Sequence, residues 1–558
     1  MTLISKKQLI AISSSLALVS CGAPTLVSTP IENIDSIPLK NAPLTETQYK
    51  NWNSFDLVSD TIPGMSVNKA YTEIIKNKPG KKVIVAVIDS GVDIEHEDLD
   101  GVIWTNTKEI KGNNKDDDNN GYIDDIHGWN FLGDSKDENL EFVRIIKKLK
   151  PKYQGKNLAS VASSDKKEYQ NYIEAKAEYE KKYQEALSNK ERYEQILQQT
   201  NASHKAVSAI LKKEDYTQKE LLSVKADTPE MQQYVGFLSQ MFQFLDKGEN
   251  IVNFSKNLKE GIEHFTNSLN YNLNLDYDGR STVGDNVDDI TNVTYGNNNV
   301  MGPDPTKDNI KHGTHVAGII AAERNNGKGV NGIAKNVEIM AIRAVPDGDE
   351  YDKDIALAIR YAADNGAKVI NTSFGKYYST HPEWVWDAIK YAADKDVLIV
   401  NAAGNEAEDL DQKRVYPNDQ TDNTTEIANN FITIGALNYE YGSSLVANFS
   451  NYGKNNVDAF APGVKIWATT PNNSYEFLQG TSMAAPAVAG VAALIRSYYP
   501  KLSANQVKQV LMNSGLSTNA TVVIGGEPAN TGKFTELSKS GKMVNLYNAL
   551  ILADKMSK

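Results

Sequence analysis

Val83-Ile84-Val85-Ala86-Val87-Ile88-Asp89-Ser90-Gly91 is a run of β-branched and small apolar residues that stops abruptly on a carboxylate. The absence of polar alternation predicts a strand buried on both faces, as in a parallel sheet covered by helices. A polar group at the carboxyl end of such a strand lies where an open α/β sheet forms its crevice. Val397-Leu398-Ile399-Val400-Asn401-Ala402-Ala403-Gly404-Asn405 has the same build, a buried strand running into a small-residue turn. The expected fold class is α/β, a mostly parallel sheet flanked by helices.

Working outward, Gly480-Thr481-Ser482-Met483-Ala484-Ala485-Pro486 places a hydroxyl where a helix begins. Lys465 to Thr470 before it reads as a strand. Ala487 to Ile495 after it reads as an apolar helix whose small residues allow close approach. A serine is a poor nucleophile until a base takes its proton and preformed donors await the oxyanion. N–H groups at a helix start are suited to that second task. Alone, Ser482 reads as an ordinary helix cap. His312-Gly313-Thr314-His315-Val316-Ala317-Gly318 opens another small-residue helix. His312 stands at its start, and His315, one turn in, faces other neighbours. A serine nucleophile needs an imidazole base and a carboxylate that fixes its tautomer. Asp89, His312 and Ser482 supply all three, each from its own glycine-bearing segment.

These three segments resemble the aspartate, histidine and serine motifs of the subtilisin-like serine proteases, the subtilase family. The likeness covers roughly residues 81–131 and 295–550. It implies a three-layer fold, with Ser482 as nucleophile, His312 as general base and acid, and Asp89 as orienting carboxylate. The order Asp, His, Ser along the chain is the one subtilisin uses. The resemblance also implies an oxyanion donor in Asn405, beside the Ser482 N–H. Lys368 to Gly375 is similar to the family strand that pairs with substrate, which makes Ser373, Phe374 and Gly375 substrate-binding. The implied partner is a polypeptide, and catalysis needs no cofactor. A non-catalytic peptide-binding scaffold of the same fold would lack a member of the triad or the oxyanion donor. Neither is missing.

Lys6 and Lys7 precede an apolar stretch, Leu9 to Val19, too short for a membrane span and of the form of a secretory signal. Leu18-Val19-Ser20-Cys21-Gly22 resembles a bacterial lipobox, which implies cleavage before Cys21 and lipidation of that thiol. Cys21 is the single cysteine of the 558 residues and so has no disulfide partner within the chain. Residues 1–20 are expected as a lipoprotein signal peptide and 21–50 as a lipidated tether, the latter rich in Pro, Thr and Ser from Ala23 to Thr47. Gly22 stands where an inner-membrane retention signal would have aspartate, so the expected location is the outer membrane or cell surface. A net charge of −12 and a pI near 5.3 argue against a nucleic-acid partner.

Residues 51–140 and 271–558 are expected to form the catalytic domain, split by a helical insertion at 141–270. From Lys156 to Thr228 there is no Gly or Pro. Tyr172, Tyr179, Tyr183, Leu187, Tyr193, Ile196 and Leu197 recur at helical spacing. Met231 to Leu269 is a second helical portion, and together they predict a hairpin or small bundle. Before it, Asp116-Asp117-Asp118-Asn119-Asn120-Gly121-Tyr122-Ile123-Asp124-Asp125 offers oxygen donors at Asp116, Asp118, Asn120 and Asp124, similar to the first part of a calcium loop. His127 stands where an EF-hand has glutamate, so a shorter structural calcium loop is expected. Asp98 resembles a second calcium ligand of the family. Ser503 and Gln506 have the spacing of a capping box.

Overall fold

The structure, a computed structural model, describes residues 28–40, 42–245 and 250–558. The signal segment and Cys21 lie outside the described residues. Val83–Asp89 forms β1 and is buried along nearly its whole length. The missing polar alternation has a direct cause: the strand alternates between two cores. Val85 and Val87 join an apolar cluster on one face, Ala86 and Ile88 a second cluster on the other. With it stand β2 (Gly128–Asn130), β3 (Val337–Arg343), β4 (Val369–Thr372), β5 (Leu398–Ala402), β6 (Phe431–Leu437) and β7 (Ala459–Pro462). They form one sheet in the order β2-β3-β1-β4-β5-β6-β7, and every pair is parallel.

After β1 the chain lays β2 and β3 to one side, then builds β4 onward on the other. A sheet that switches direction in this way opens a crevice at its carboxyl ends. Asp89 ends β1, Ser373 follows β4, and Asn405 lies just beyond β5. One face of the sheet carries helices Lys311–Ala321 and Thr481–Tyr498, the histidine and serine helices. The other carries Asp352–Asp364 and Pro382–Asp394. The expected α/β layering is the one observed. The strand expected at Lys465 to Thr470 is present as β8 (Ile466–Thr470), and it pairs as a hairpin with an unexpected β9 (Ser474–Leu478). Asn472 and Asn473, both at positive φ, turn it. The capping box at Ser503 and Gln506 is present, with both reciprocal bonds made.

The insertion leaves the body after β2. It comprises helices Glu141–Tyr153, Lys166–Leu211, Gln218–Leu222, Pro229–Met241 and Ile251–Asn267. Lys166–Leu211 has 46 residues and so runs roughly 69 Å. The last helix returns antiparallel along it. Ile251 shares an apolar cluster with Val207. Gly261 lies so close to Tyr193 that a Cβ there would meet the ring at 2.6 Å. Phe265 meets the same ring edge-on at 5.4 Å. One cluster, with Phe142, Ile146, Tyr153, Tyr172 and Leu273, sits at the neck. A second, with Val207, Tyr216, Leu221 and Leu238, sits at the far end. The two ends of the insertion meet where the Leu140 N–H donates to the Asn272 carbonyl at 3.0 Å.

The segment read as a tether packs from residue 28 onward. Ile34 is 1% exposed. Asp35 accepts from the Thr518 hydroxyl at 2.7 Å, and the Asn548 side chain exchanges two hydrogen bonds with the Ile31 backbone. Isoleucine at 31 and 34 supplies the apolar anchor that overrides the loop-like composition around it. Among the described residues, no helix is long and apolar enough to cross a membrane.

Candidate active site

β1 delivers Asp89, 1% exposed, to the crevice, and the histidine helix starts against it. Gly313 makes this approach possible. A Cβ there would meet the Gly91 carbonyl at 2.1 Å and Asp89 Cβ at 3.1 Å. His312 Nδ1 lies 2.7 Å from Asp89 Oδ1, which also accepts from the Ser90 N–H at 2.7 Å. Burial works against charge on the imidazole, but the Asp89 carboxylate more than offsets it and holds His312 above its ordinary value. His315 has the opposite setting. Burial pulls it down to about 3, and its Nε2 lies 3.1 Å from both the Ile466 and Glu476 carbonyls. It is a structural histidine that ties the helix to the β8–β9 hairpin.

Ser482 is the second residue of its helix, a position whose N–H has no intrahelical acceptor. Four residues on, Pro486 has no N–H to donate back to the Ser482 carbonyl. The Ser373 hydroxyl takes that place at 2.9 Å. In return the Ser482 hydroxyl donates to the Ser373 carbonyl at 3.1 Å. The serine helix is thus bonded on both counts to the residue that follows β4. Asn405 is fixed by its carbonyl oxygen, which accepts from the Thr481 N–H at 2.8 Å and the Thr481 hydroxyl at 3.1 Å. That leaves its amide NH2 as the free donor beside Ser482. Thr481, read from sequence only as a flanking residue, is therefore what orients Asn405.

A cleft of about 790 Å³ opens beside Asp89 and His312. His312, Asp89 and Ser373 line its catalytic side. Glu263, Asn267 and Tyr271 of the insertion line it too. Phe374 packs partly buried against the second core, and Gly375 is exposed. Directly after it, Lys376, 1% exposed at its side chain, pairs with Glu141 at 3.2 Å and Asp352 at 3.0 Å. Glu141 opens the insertion's first helix and also pairs with Arg144. Burial alone would raise its pKa, yet Arg144 and Lys376 hold it down at about 2. The root of the insertion is thus ionically locked to the residue after the Ser373–Gly375 segment, which follows β4 and is not itself strand.

The acidic loop differs from its expected ligand set. Asp116 and Asp118 converge, and Glu109, missed in the sequence, joins them. Asp124 does not. Its carboxylate accepts from the Gly112 N–H at 2.9 Å and the Asn114 N–H at 2.8 Å. The Asn120 oxygen accepts from the Tyr122 N–H, and its NH2 donates to Asp125. The EF-hand spacing puts Asp124 at a ligand position, but the turn at Gly112–Asn114 claims its oxygens. Glu109 Oε1 accepts from the Asp117 and Asp118 N–H groups, while buried Oε2 has no partner. Asp98 is fully buried and satisfied by the Asn326 amide at 2.6 Å and the Val330 N–H at 3.0 Å.

Residues 80–538 match the model of the subtilase family, peptidase family S8. The chain belongs to the subtilase family. Among its relatives, a thermophilic serine proteinase of Bacillus sp. (strain AK1) is 45% identical over 33% of this chain and 42% of that protein. Subtilisin BL of Lederbergia lenta is 36% identical over 43% of this subtilase and 82% of its own length. The cell wall-associated protease of Bacillus subtilis is 35% identical over 41% of this chain but only 23% of that protein. The chain therefore spans well under half the length of two of these relatives. A solved protease from Pseudoalteromonas arctica superposes with a TM-score of 0.36 at 30% identity, over 43% of this chain and 70% of that one.

Proposed function

We propose that this subtilase is a serine endopeptidase that works through an acyl-enzyme on Ser482. The observation that carries the reading is the 2.7 Å contact of His312 Nδ1 with buried Asp89, in the crevice that also holds Ser482 and Asn405. Asp89 fixes the tautomer that leaves Nε2 basic. Substrate binding replaces the bond from Ser482 to the Ser373 carbonyl. His312 then takes the hydroxyl proton as Oγ attacks the peptide carbonyl. The Asn405 NH2 and the Ser482 N–H hold the oxyanion, His312 protonates the leaving amine, and water repeats the cycle. A fluorophosphonate probe should label the wild type and not Ser482→Ala, and casein should be digested by the wild type alone. Asn405→Ala should lower kcat by about 10²–10³, the size known for loss of one such donor in subtilisin itself. Unchanged labelling in Ser482→Ala would overturn the reading.

The acidic loop fits a structural calcium ion held by Glu109, Asp116 and Asp118. The donors are hard carboxylate oxygens, as calcium requires, and Glu109 Oε2 is buried without a hydrogen bond. Calcium should raise the melting temperature of the wild type and leave Glu109→Gln unmoved. Equal shifts in both would remove Glu109 from the site. The N-terminal pattern supports export and lipidation at Cys21. Partition of the wild type, and not of Cys21→Ala, into detergent would test it.

A further inference from the structure

The cleft beside Asp89 and His312 holds four carboxylates that make no ion pair among the described residues. Asp137, Asp308 and Asp347 come from the catalytic body, and Glu263 comes from the returning helix of the insertion. Two lysines of the same lining already have carboxylate partners, one of them, Asp304, in the lining itself. Lys136 pairs with Asp304 at 3.6 Å, and Lys311 pairs with Glu476. Arg343 is 1% exposed; its terminal nitrogens donate to Asn130 at 3.0 Å, Gly133 at 3.2 Å and Ser135 at 2.6 Å, and its Nε is buried without a partner.

Backbone bonds hold two of these carboxylates side by side. The Glu138 N–H donates to the Asp347 carbonyl at 2.8 Å, and the Asp347 N–H donates to the Lys136 carbonyl at 2.9 Å. Burial, and then the charge of Asp347, push Asp137 above its ordinary value; Lys136 only partly opposes this. Burial also pushes Asp347 up, against the pull of His264 on the insertion. Like charges fixed together in a partly dry cleft are relieved by an incoming cation. Two other groups point the same way. Both polar atoms of the Asn309 side chain, in the same lining, are buried without a partner. The Tyr271 ring lines the cleft as well, and an aromatic face favours a cation.

We propose that the insertion completes a subsite for a lysine or arginine side chain of the substrate, next to the scissile bond. Glu263 and Tyr271 of the insertion, with Asp137, Asp308 and Asp347, are its specificity-determining residues. The inference rests on the endopeptidase reading, because it is the catalytic pair in the same cleft that brings a peptide there. Glu263, Asn267 and Tyr271 follow one another at four-residue steps, so they share one side of the returning helix and its continuation.

Quenched peptides that differ only in Lys, Gln or Glu, placed in turn at each position around the cleavage point, test the subsite in the full-length enzyme. At low salt, Lys should exceed Gln in kcat/KM by at least about tenfold at one position, with Glu the poorest, and added salt should shrink the ratio. Glu263→Gln and Asp347→Asn should each cut the Lys/Gln ratio at least about threefold. Glu230→Gln, at the far end of the insertion, should leave it unchanged. The ratio is internal, so partial loss of folded enzyme does not move it. A ratio near one at every position overturns the subsite, as does a ratio that survives in both variants. If Ser482 still takes the probe and neutral peptides are still cut, the endopeptidase reading stands without the subsite. If Ser482 takes no probe and no peptide is cut, both fall.

Discussion

The catalytic body and the insertion are built from the same chain by opposite means. In the body, β1 is buried on both faces and the serine helix is enclosed from Met483 to Ser497, so each side chain has one place to be. In the insertion, Lys166–Leu211 buries only seven residues in 46, and its apolar contacts gather at two separated clusters. Its surface ion pairs, such as Lys190 with Glu194 at 3.7 Å, are of a kind that contributes about 0.3–0.5 kcal/mol each. Close packing fixes positions to the fraction of an ångström that catalysis needs. A two-helix span bolted at its ends gives reach for little buried area.

The sharpest test of that contrast is Asp89→Asn. It should cut kcat by about 10⁴ without altering the helix content of the insertion. The residual activity should also lose its raised acid limb. Wild-type kcat/KM should fall with decreasing pH through a midpoint above the ordinary imidazole value of about 6.5, because Asp89 favours protonated His312. Removing that charge should move the limb to lower pH.

Lys376→Met strikes the joint between the regions. It leaves buried Asp352 without its cation and Glu141 with Arg144 alone, a loss of about 3–5 kcal/mol. Both activity and the insertion's attachment should suffer, as read by chemical denaturation and limited proteolysis. Leu238→Ala, fully buried in the distal cluster, should cost about 2–4 kcal/mol, confined to the far end. Proteolysis there should accelerate while cleavage of a short peptide stays unchanged. If that change abolishes turnover, the two regions are one cooperative unit and the comparison fails.

A purely pH-dependent effect is expected from Glu350→Gln. Burial pushes Glu350 up to about 8; Lys376 pulls against it, while the charges of Asp349 and Asp352 add to the rise. The folded protein therefore keeps a proton that the unfolded chain releases near pH 4.3. Wild-type stability from this group is present below that pH and lost as pH rises toward 8. Glutamine does not titrate, so the melting temperature of the variant should gain on the wild type between pH 5 and 8.

Much of the body was legible in the sequence because its signals are local. A strand without polar alternation, a carboxylate at its end and glycines at close approaches give the layers and place Asp89, His312 and Ser482. The insertion's helices were legible from spacing alone. What was not legible depends on which backbone amides claim each carboxylate. Glu109 joins the acidic loop through backbone amides, while Asp124 leaves it for Gly112 and Asn114. The β8–β9 hairpin carried its own signal in Asn472-Asn473, which an expectation of a single strand passed over. The four-residue steps of Glu263, Asn267 and Tyr271 were visible, but only the returning path of the helix shows that they meet the cleft.

The bonds between its two ends, Leu140 to Asn272 among them, make the insertion a closed loop as seen from the catalytic body. The entropy of closing such a loop rises only with the logarithm of its length, about 0.6 kcal/mol for each doubling. Whether the hairpin is half as long or twice as long, the sheet below experiences almost the same two ends at the same spacing. Its length is therefore nearly neutral for folding of the enzyme beneath it. Natural selection is free to set that length by what the distal end must meet.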